Sequence, residues 1–94
     1  MEIGELSNNR LTDITELGEM WQVERLCLAN NHLGLIDALS KLTVLQELDI
    51  SYNDVDDISA LFELSHLHYL YAMGNRIPEW QLEKLQLMGV SIVA

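Results

Sequence analysis

The sequence predicts an α/β solenoid, in which short coils of chain stack so that their strands become parallel neighbours in one sheet. Asparagines recur about every 22 residues, as Asn9, Asn31, Asn53 and Asn75. Apolar residues keep fixed places around each asparagine, and their spacing changes from three to two within each unit. One coil cannot bury its apolar row alone, so the coils must stack row on row.

Matching columns of apolar residues define the unit. Two residues after the asparagines stand Leu11, Leu33, Val55 and Ile77, and three residues before them stand Leu6, Leu28, Ile50 and Ala72. Three further columns are Ile14, Ile36 and Ile58; Leu17, Leu39 and Leu61; and Leu26, Leu48 and Leu70.

The spacing inside a unit predicts its local structure. From Val55 to Leu70 every third residue is apolar, and in an α-helix such a row slips by about 60° per step and winds around the cylinder. A chain of 3₁₀-like turns keeps the row on one side. Between Leu70 and Ala72 the spacing drops to two, which indicates a short strand with one face inward.

The two ends of the chain depart from this pattern. Gly4 occupies the column held elsewhere by leucine, so the first repeat is degraded. Either Met1 and Ile3 cover this end, or it stacks on another chain or on a further segment. After Asn75 the columns fail, and Pro78 suits the first turn of a helix. We therefore expect an α-helix from Pro78 or Glu79 to about Leu87, followed by a strand over 90–93. The residues expected to cover the core there are Trp80, Leu82 and Leu85.

On these residues the chain resembles the leucine-rich repeats. The pattern L-x-x-L-x-L-x-x-N-x-L occurs from Val23 to Leu33, from Leu45 to Val55 and from Leu67 to Ile77. The segments Asn9 to Leu17 and Asn53 to Leu61 are similar to the 22-residue subclass of bacterial internalins and protein phosphatase 1 regulatory subunits. The resemblance implies a curved right-handed solenoid with a parallel sheet on its concave side and 3₁₀-like turns on its convex side. It also implies that the asparagine amides bond the backbone of adjoining turns.

We predict one domain over residues 1–94. It divides into a degraded first repeat over 1–22, regular repeats over 23–44 and 45–66, and a terminal repeat with a short helical cap over 67–94.

Charge and composition narrow the possible partners. The formal net charge of −10 opposes binding to nucleic-acid phosphates or to anionic lipid, and favours a basic partner. Cys27 is the single cysteine, which excludes an internal disulfide and suits a reducing compartment. No apolar run approaches the ~18 residues of a membrane span, and Met1 to Gly4 lacks the features of a signal peptide. We expect a cytoplasmic protein that does not bind membranes.

Strand alternation predicts which side chains face out of the concave sheet. Three rows follow: Ile3, Arg25, Glu47 and Tyr69; Glu5, Cys27, Asp49 and Tyr71; and Ser7, Ala29, Ser51 and Met73. Tyrosine and methionine beside acids are typical of an interface. The predicted partner-binding residues are Arg25, Cys27, Glu47, Asp49, Tyr69, Tyr71 and Met73. The alternative is that both tyrosines only cover neighbouring strands.

Catalytic and metal chemistry find little support in the sequence. His66 and His68, with Glu63 nearby, lack the ligand number and spacing of a known metal site. Cys27 could be a nucleophile only with a base beside it, and the nearest candidate, His32, lies past the strand. We expect no enzyme activity and no cofactor.

The predicted function is protein–protein interaction through the concave face. Three alternatives stay open: an acidic inhibitor or immunity-type protein that occludes a basic enzyme, a structural fragment of a longer repeat array, and a thiol enzyme that uses Cys27. Self-association through the uncapped N-terminal end is a further possibility.

Overall fold

A computed structural model describes residues 2–10, 14 and 20–94. The predicted alternation of strands and 3₁₀ turns is confirmed in these residues. The elements are β1 (Glu2–Glu5), β2 (Val23–Cys27), a 3₁₀ helix (Asp37–Lys41), β3 (Glu47–Asp49), a second 3₁₀ helix (Ser59–Glu63), β4 (Tyr69–Tyr71), α1 (Glu79–Leu87) and β5 (Ser91–Val93).

The strands form one parallel sheet in the order β1-β2-β3-β4-β5. Its register follows the repeat, because Arg25 pairs with Glu47 and Glu47 pairs with Tyr69. The same interval continues to β5, where Tyr69 pairs with Ser91. The α1 return is therefore as long as a 3₁₀ return.

The hydrogen bonds of the returns explain the spacing of three. Leu39 donates its N–H to the carbonyl of Ile36, Leu42 to Leu39, and Leu45 to Leu42, each at 3.0 Å. The following repeat has the same ladder between Ile58 and Leu67. Each bond links consecutive apolar residues, so all of them stay on the inner side. The buried columns include Ile36, Ile58; Leu39, Leu61; Leu42, Leu64; Leu45, Leu67; and Leu26, Leu48, Leu70.

The structure shows why a glycine stands at position 4 in the degraded first repeat. Gly4 pairs with Leu26, as its column predicts, and a Cβ on Gly4 would lie 2.8 Å from Leu26 Cδ1. The leucine side chain therefore fills the space that the missing column member leaves. Ile14 of this repeat is buried. The side chains of Met1 and Ile3, and the column members Leu11 and Leu17, lie outside the described residues.

The asparagine amides bond the backbone of two coils at once. The Nδ2 of buried Asn53 donates to the carbonyls of Ile50 at 2.9 Å and Leu28 at 3.0 Å, and also to Ser51. Its Oδ1 accepts from the N–H of Leu33 at 3.1 Å. Asn75 makes the corresponding bonds one coil later. The amide of Asn31 donates to the carbonyl of Leu28 in its own coil and to that of Leu6 in the preceding coil.

A second column, which sequence reasoning missed, precedes the asparagines. Asn8, Asn30, Tyr52 and Gly74 all have a positive φ, between 59° and 72°. The left-handed conformation at these positions turns the chain sharply after each strand. The turn brings the side-chain amide of the following asparagine close to the carbonyls at the end of the strand. At Gly74 the approach is also close, because a Cβ there would lie 2.5 Å from the ring carbon Cδ1 of Tyr52.

The helical cap differs from the prediction in one residue. Leu85 is buried and Leu82 is partly buried, but Trp80 is 59% exposed, so its expected place over the core is wrong. Gln81 and Leu85 lie one turn apart on the inner face, and Trp80 falls outside it. Its ring instead contacts Phe62, with the ring centroids 6.2 Å apart. The buried Gln81 accepts a hydrogen bond from the N–H of Ile58 at 2.8 Å.

We predict that Asn53→Ala lowers the free energy of unfolding by about 2–4 kcal/mol, because it leaves the buried Leu33 N–H without its acceptor and removes the amide bonds to the carbonyls of Leu28 and Ile50. The matched control is Asn9→Ala, which removes an exposed amide with bonds to Leu6 and Ser7 and should cost under about 1 kcal/mol. Urea denaturation measures both. Equal losses would show that the buried amides do not hold the coils together.

We also predict that Gly74→Ala destabilises the fold by about 1–3 kcal/mol, because alanine disfavours positive φ and its Cβ meets the Tyr52 ring. Gly34→Ala is the control, since a Cβ added at Gly34 would lie 3.9 Å from the nearest atom, the carbonyl oxygen of Asp54. We expect a change within about 0.5 kcal/mol there. Thermal melts of the two variants test this difference.

Candidate functional site

The strand register assembles two of the predicted concave rows. Arg25, Glu47 and Tyr69 lie side by side on β2, β3 and β4, and the next row contains Cys27, Asp49 and Tyr71. The leucines between these rows are buried, whereas Arg25 and Tyr69 are exposed and Glu47 is half-buried. These two rows therefore face away from the core, as strand alternation requires.

The third predicted row is wrong at two of its residues. Ser7 is half-buried and Met73 is exposed, but Ala29 and Ser51 are buried. Alternation fails there because β2 ends at Cys27 and β3 ends at Asp49, so the next residues belong to the turn beside the asparagine column. Their carbonyls accept hydrogen bonds from the asparagine amides.

An open groove of about 650 Å³, including the space at its mouth, lies on this face. Three carboxylates and one guanidinium line it, together with Cys27 and Tyr71; the charged residues are Glu5, Arg25, Glu47 and Asp49. Arg25 Nε is 3.7 Å from Glu47 Oε2 in a solvent-exposed ion pair, of a kind that contributes under about 1 kcal/mol. The groove therefore keeps a negative charge.

Two of these carboxylates are held in place by the turn that follows each strand. Glu5 Oε1 accepts the N–H of Ser7 at 2.9 Å and also bonds the Ser7 hydroxyl. These bonds lower the pKa of Glu5, chiefly through the hydroxyl. Asp49 Oδ1 accepts the N–H of Ser51 at 2.9 Å. Both carboxylates are thus oriented by backbone two residues ahead.

Cys27 lies between these acids, in surroundings that disfavour the thiolate form. Its Sγ is 3.9 Å from Asp49 Oδ2. Burial raises the pKa of the thiol, and the negative charges of Asp49 and Glu5 raise it further. Since the thiolate is the reactive form, this environment disfavours the thiol-enzyme alternative.

The histidines at 66 and 68 and the helix α1 lie outside this groove. His66 and His68 are exposed. Among the described residues, no group of three or more His, Cys, Asp or Glu side chains could hold a metal ion. No helix in the described part of the chain has the length and apolar character needed to cross a bilayer.

Aromatic and sulfur side chains collect at the β4 end of the face. Tyr69 is 51% exposed, Tyr71 is half-buried and Met73 is 37% exposed. Tyr52, which sequence reasoning left out, is also exposed and lies beside Met73, whose carbonyl it bonds through its N–H. The signal for it was present, because a tyrosine stands in a column that otherwise holds Asn and Gly. We call Tyr52, Tyr69, Tyr71 and Met73 the aromatic patch.

Comparison with known proteins shows what the repeats are similar to. Residues 21–63 match the family model described as leucine-rich repeats (2 copies). No curated protein matches the sequence. Among solved structures, an internalin (inlF) of Listeria monocytogenes superposes with a TM-score of 0.88 at 27% identity, over 98% of this chain and 27% of that one.

Two further structures share the fold. A leucine-rich-repeat protein of Leptospira interrogans has a TM-score of 0.84 at 24% identity, over 100% of this chain and 25% of that one. An internalin C2 of Listeria monocytogenes has a TM-score of 0.77 at 24% identity, over 99% and 42%. The chain thus spans between a quarter and two-fifths of the length of these proteins.

We predict that alkylation of Cys27 by iodoacetamide has its midpoint at a higher pH than alkylation of the same thiol in the urea-unfolded chain, because burial and nearby carboxylates raise its pKa. Asp49→Asn removes one negative charge and should move the midpoint down. Asp54→Asn, an exposed acid outside the groove, is the control and should not move it. A folded-state midpoint below the unfolded one would contradict this account of the thiol.

Proposed function

We propose, from the premise that this chain is a leucine-rich-repeat solenoid similar to bacterial internalins, that it binds another protein across its concave face. The observation that carries the proposal is the aromatic patch beside the negative groove. No catalytic step is assigned to the chain.

The aromatic patch supplies the apolar part of the contact. Tyrosine is enriched among residues that dominate binding energy, and methionine adapts its shape to varied surfaces. Tyr69 and Met73 expose a third to a half of their surface, and they lie on β4 and two residues past its end. Their position favours a partner side chain that packs across β4.

The groove supplies the charged part. Glu5, Glu47 and Asp49 outnumber Arg25, and the whole chain carries a net charge of −10. Complementary charge accelerates association and suppresses wrong partners. We therefore propose a partner whose contacting surface is basic.

Two narrower functions stay as alternative proposals. If the basic partner is an enzyme whose site is covered, the chain is an acidic inhibitor, and its affinity would fall steeply with salt because of the charged groove. In a second candidate function, these repeats are one part of a longer array. Self-association at the β1 end, the first strand of the described sheet, is one form that such an assembly would take.

We predict that Tyr69→Ala combined with Tyr71→Ala weakens binding to the partner at least tenfold, because tyrosine is enriched among the interface residues whose truncation costs ~2 kcal/mol or more. The partner is first captured with the wild-type chain and purified. Its dissociation constant for each variant is then measured by calorimetry at two salt concentrations.

The matched control is Trp80→Ala, which removes an equally exposed aromatic ring from the helical cap. Circular dichroism and a urea melt establish that each variant is folded. Full affinity in the folded tyrosine variant, or an equal loss in Trp80→Ala, would remove the concave face from the proposal.

A further inference from the structure

One row of the concave face places a short side chain between two acids. The strand register aligns Glu5, Cys27 and Asp49 on β1, β2 and β3. Neighbouring strands lie about 4.8 Å apart, so the Cα atoms of the two acids are separated by about 10 Å. Cys27 is half-buried, and all three residues line the concave groove. The groove therefore has a gap over Cys27 with a carboxylate on each wall.

The two carboxylates converge on the same sulfur atom. Asp49 Oδ2 lies 3.9 Å from Cys27 Sγ, and the carboxylate of Glu5 also interacts with this thiol. A thiol has a single, weak proton to donate. The backbone N–H groups of Ser7 and Ser51 bond the other side of each carboxylate and fix its orientation. The gap thus contains two oriented acids that share one weak donor.

The basic residue of the groove is paired elsewhere. The Nε of Arg25 lies 3.7 Å from Glu47 in the neighbouring row. Within the part of the chain that the structure describes, this ion pair leaves the charges of Glu5 and Asp49 without a cation. Charge complementarity therefore favours a cation as the occupant of the gap.

The next member of the row is aromatic. Tyr71 pairs with Asp49 in register and lines the same groove, which joins the gap to the aromatic patch. A guanidinium stacks on aromatic rings and donates from both edges of a planar fork, whereas an ammonium is a compact, strongly hydrated point charge. Two acids facing each other beside a ring therefore fit arginine better than lysine.

We propose that the gap over Cys27 receives one arginine side chain of the partner, an inference that rests on the proposed function of the concave face. The guanidinium bonds Glu5 on one side and Asp49 on the other, and it lies against the ring of Tyr71. In an extended segment, residues two positions apart project to the same side at a separation of about 7 Å. An apolar residue at that distance from the arginine packs on the aromatic patch.

The test uses the blocked peptide acetyl-Leu-Thr-Arg-Thr-Leu-amide and the protein labelled with ¹⁵N and ¹³C, followed by NMR at low salt. The peptide has leucine on both sides of the arginine, so either chain direction offers the apolar contact. We expect saturable binding that shifts the carboxyl carbons of Glu5 and Asp49 and the amide of Cys27. The same peptide with citrulline, which has a similar shape without the charge, should bind about three- to tenfold more weakly. The peptide with lysine should also bind more weakly than that with arginine.

The double variant Glu5→Gln with Asp49→Asn should lose the preference for arginine over citrulline. Both replacements retain an oxygen that can accept the serine N–H, so the turns after β1 and β3 keep their bonds. Asp54→Asn with Asp56→Asn makes the same charge change at exposed positions outside the groove, and should keep the preference.

Four results would overturn the proposal. They are no saturable binding of the arginine peptide, equal binding of the arginine and citrulline peptides, equal binding of the arginine and lysine peptides, and a preference for arginine that survives in the Glu5→Gln, Asp49→Asn variant. The affinity of the captured partner separates this outcome from failure of the concave face. Full affinity in the Glu5→Gln, Asp49→Asn variant, with a loss in the double tyrosine variant, would keep the concave face and discard the arginine site.

Discussion

The structure depends on one requirement. The backbone that turns away from each strand is buried when the coils stack, and its polar groups then need hydrogen-bond partners within the protein. Buried carbonyl and N–H groups without partners are costly, and these turns are too irregular to pair with one another throughout. Asn53 solves this for two coils together, because its amide serves carbonyls of its own strand end and of the preceding one. The left-handed residue before it makes this reach possible. The stacking of the coils and the turn after each strand therefore depend on each other, and the residues responsible for both recur about every 22 positions.

The same constraint explains the two ends of the described fold. Toward β1, a glycine lets the leucine of the next coil fold over the vacant column position. Toward β5, the return from the preceding strand is the helix α1 instead of a 3₁₀ helix. The side chain of Gln81 in this helix accepts the N–H of Ile58, so this backbone group of the preceding coil still has a partner. A side-chain amide again bonds the backbone of the preceding coil, although it now projects from a helix. The cap therefore continues the hydrogen-bonding scheme of the repeats with different local structure.

Periodicity made most of the fold predictable, because a buried column must recur at the pitch of the coils that bury it. The limits of α1 followed from Pro78 and from the failure of the columns. Periodicity cannot show where a strand stops, and so it misplaced Ala29 and Ser51 on the concave face. It also could not place Trp80, whose position depends on the rotation of the helix about its axis. The contact patch was only partly visible, because Tyr52 lies in a column defined by backbone conformation rather than by hydrophobicity. The partner itself depends on a second molecule.

The constant interval from β4 through α1 to β5 has an evolutionary consequence. Since helical and 3₁₀ returns advance the chain equally, duplication or loss of one whole period would leave each remaining coil with neighbours of the same shape. An insertion of a single residue would instead displace every later side chain from its partner. Such a molecule can lengthen or shorten only in quantised steps, and its binding surface would grow by one row of side chains at a time.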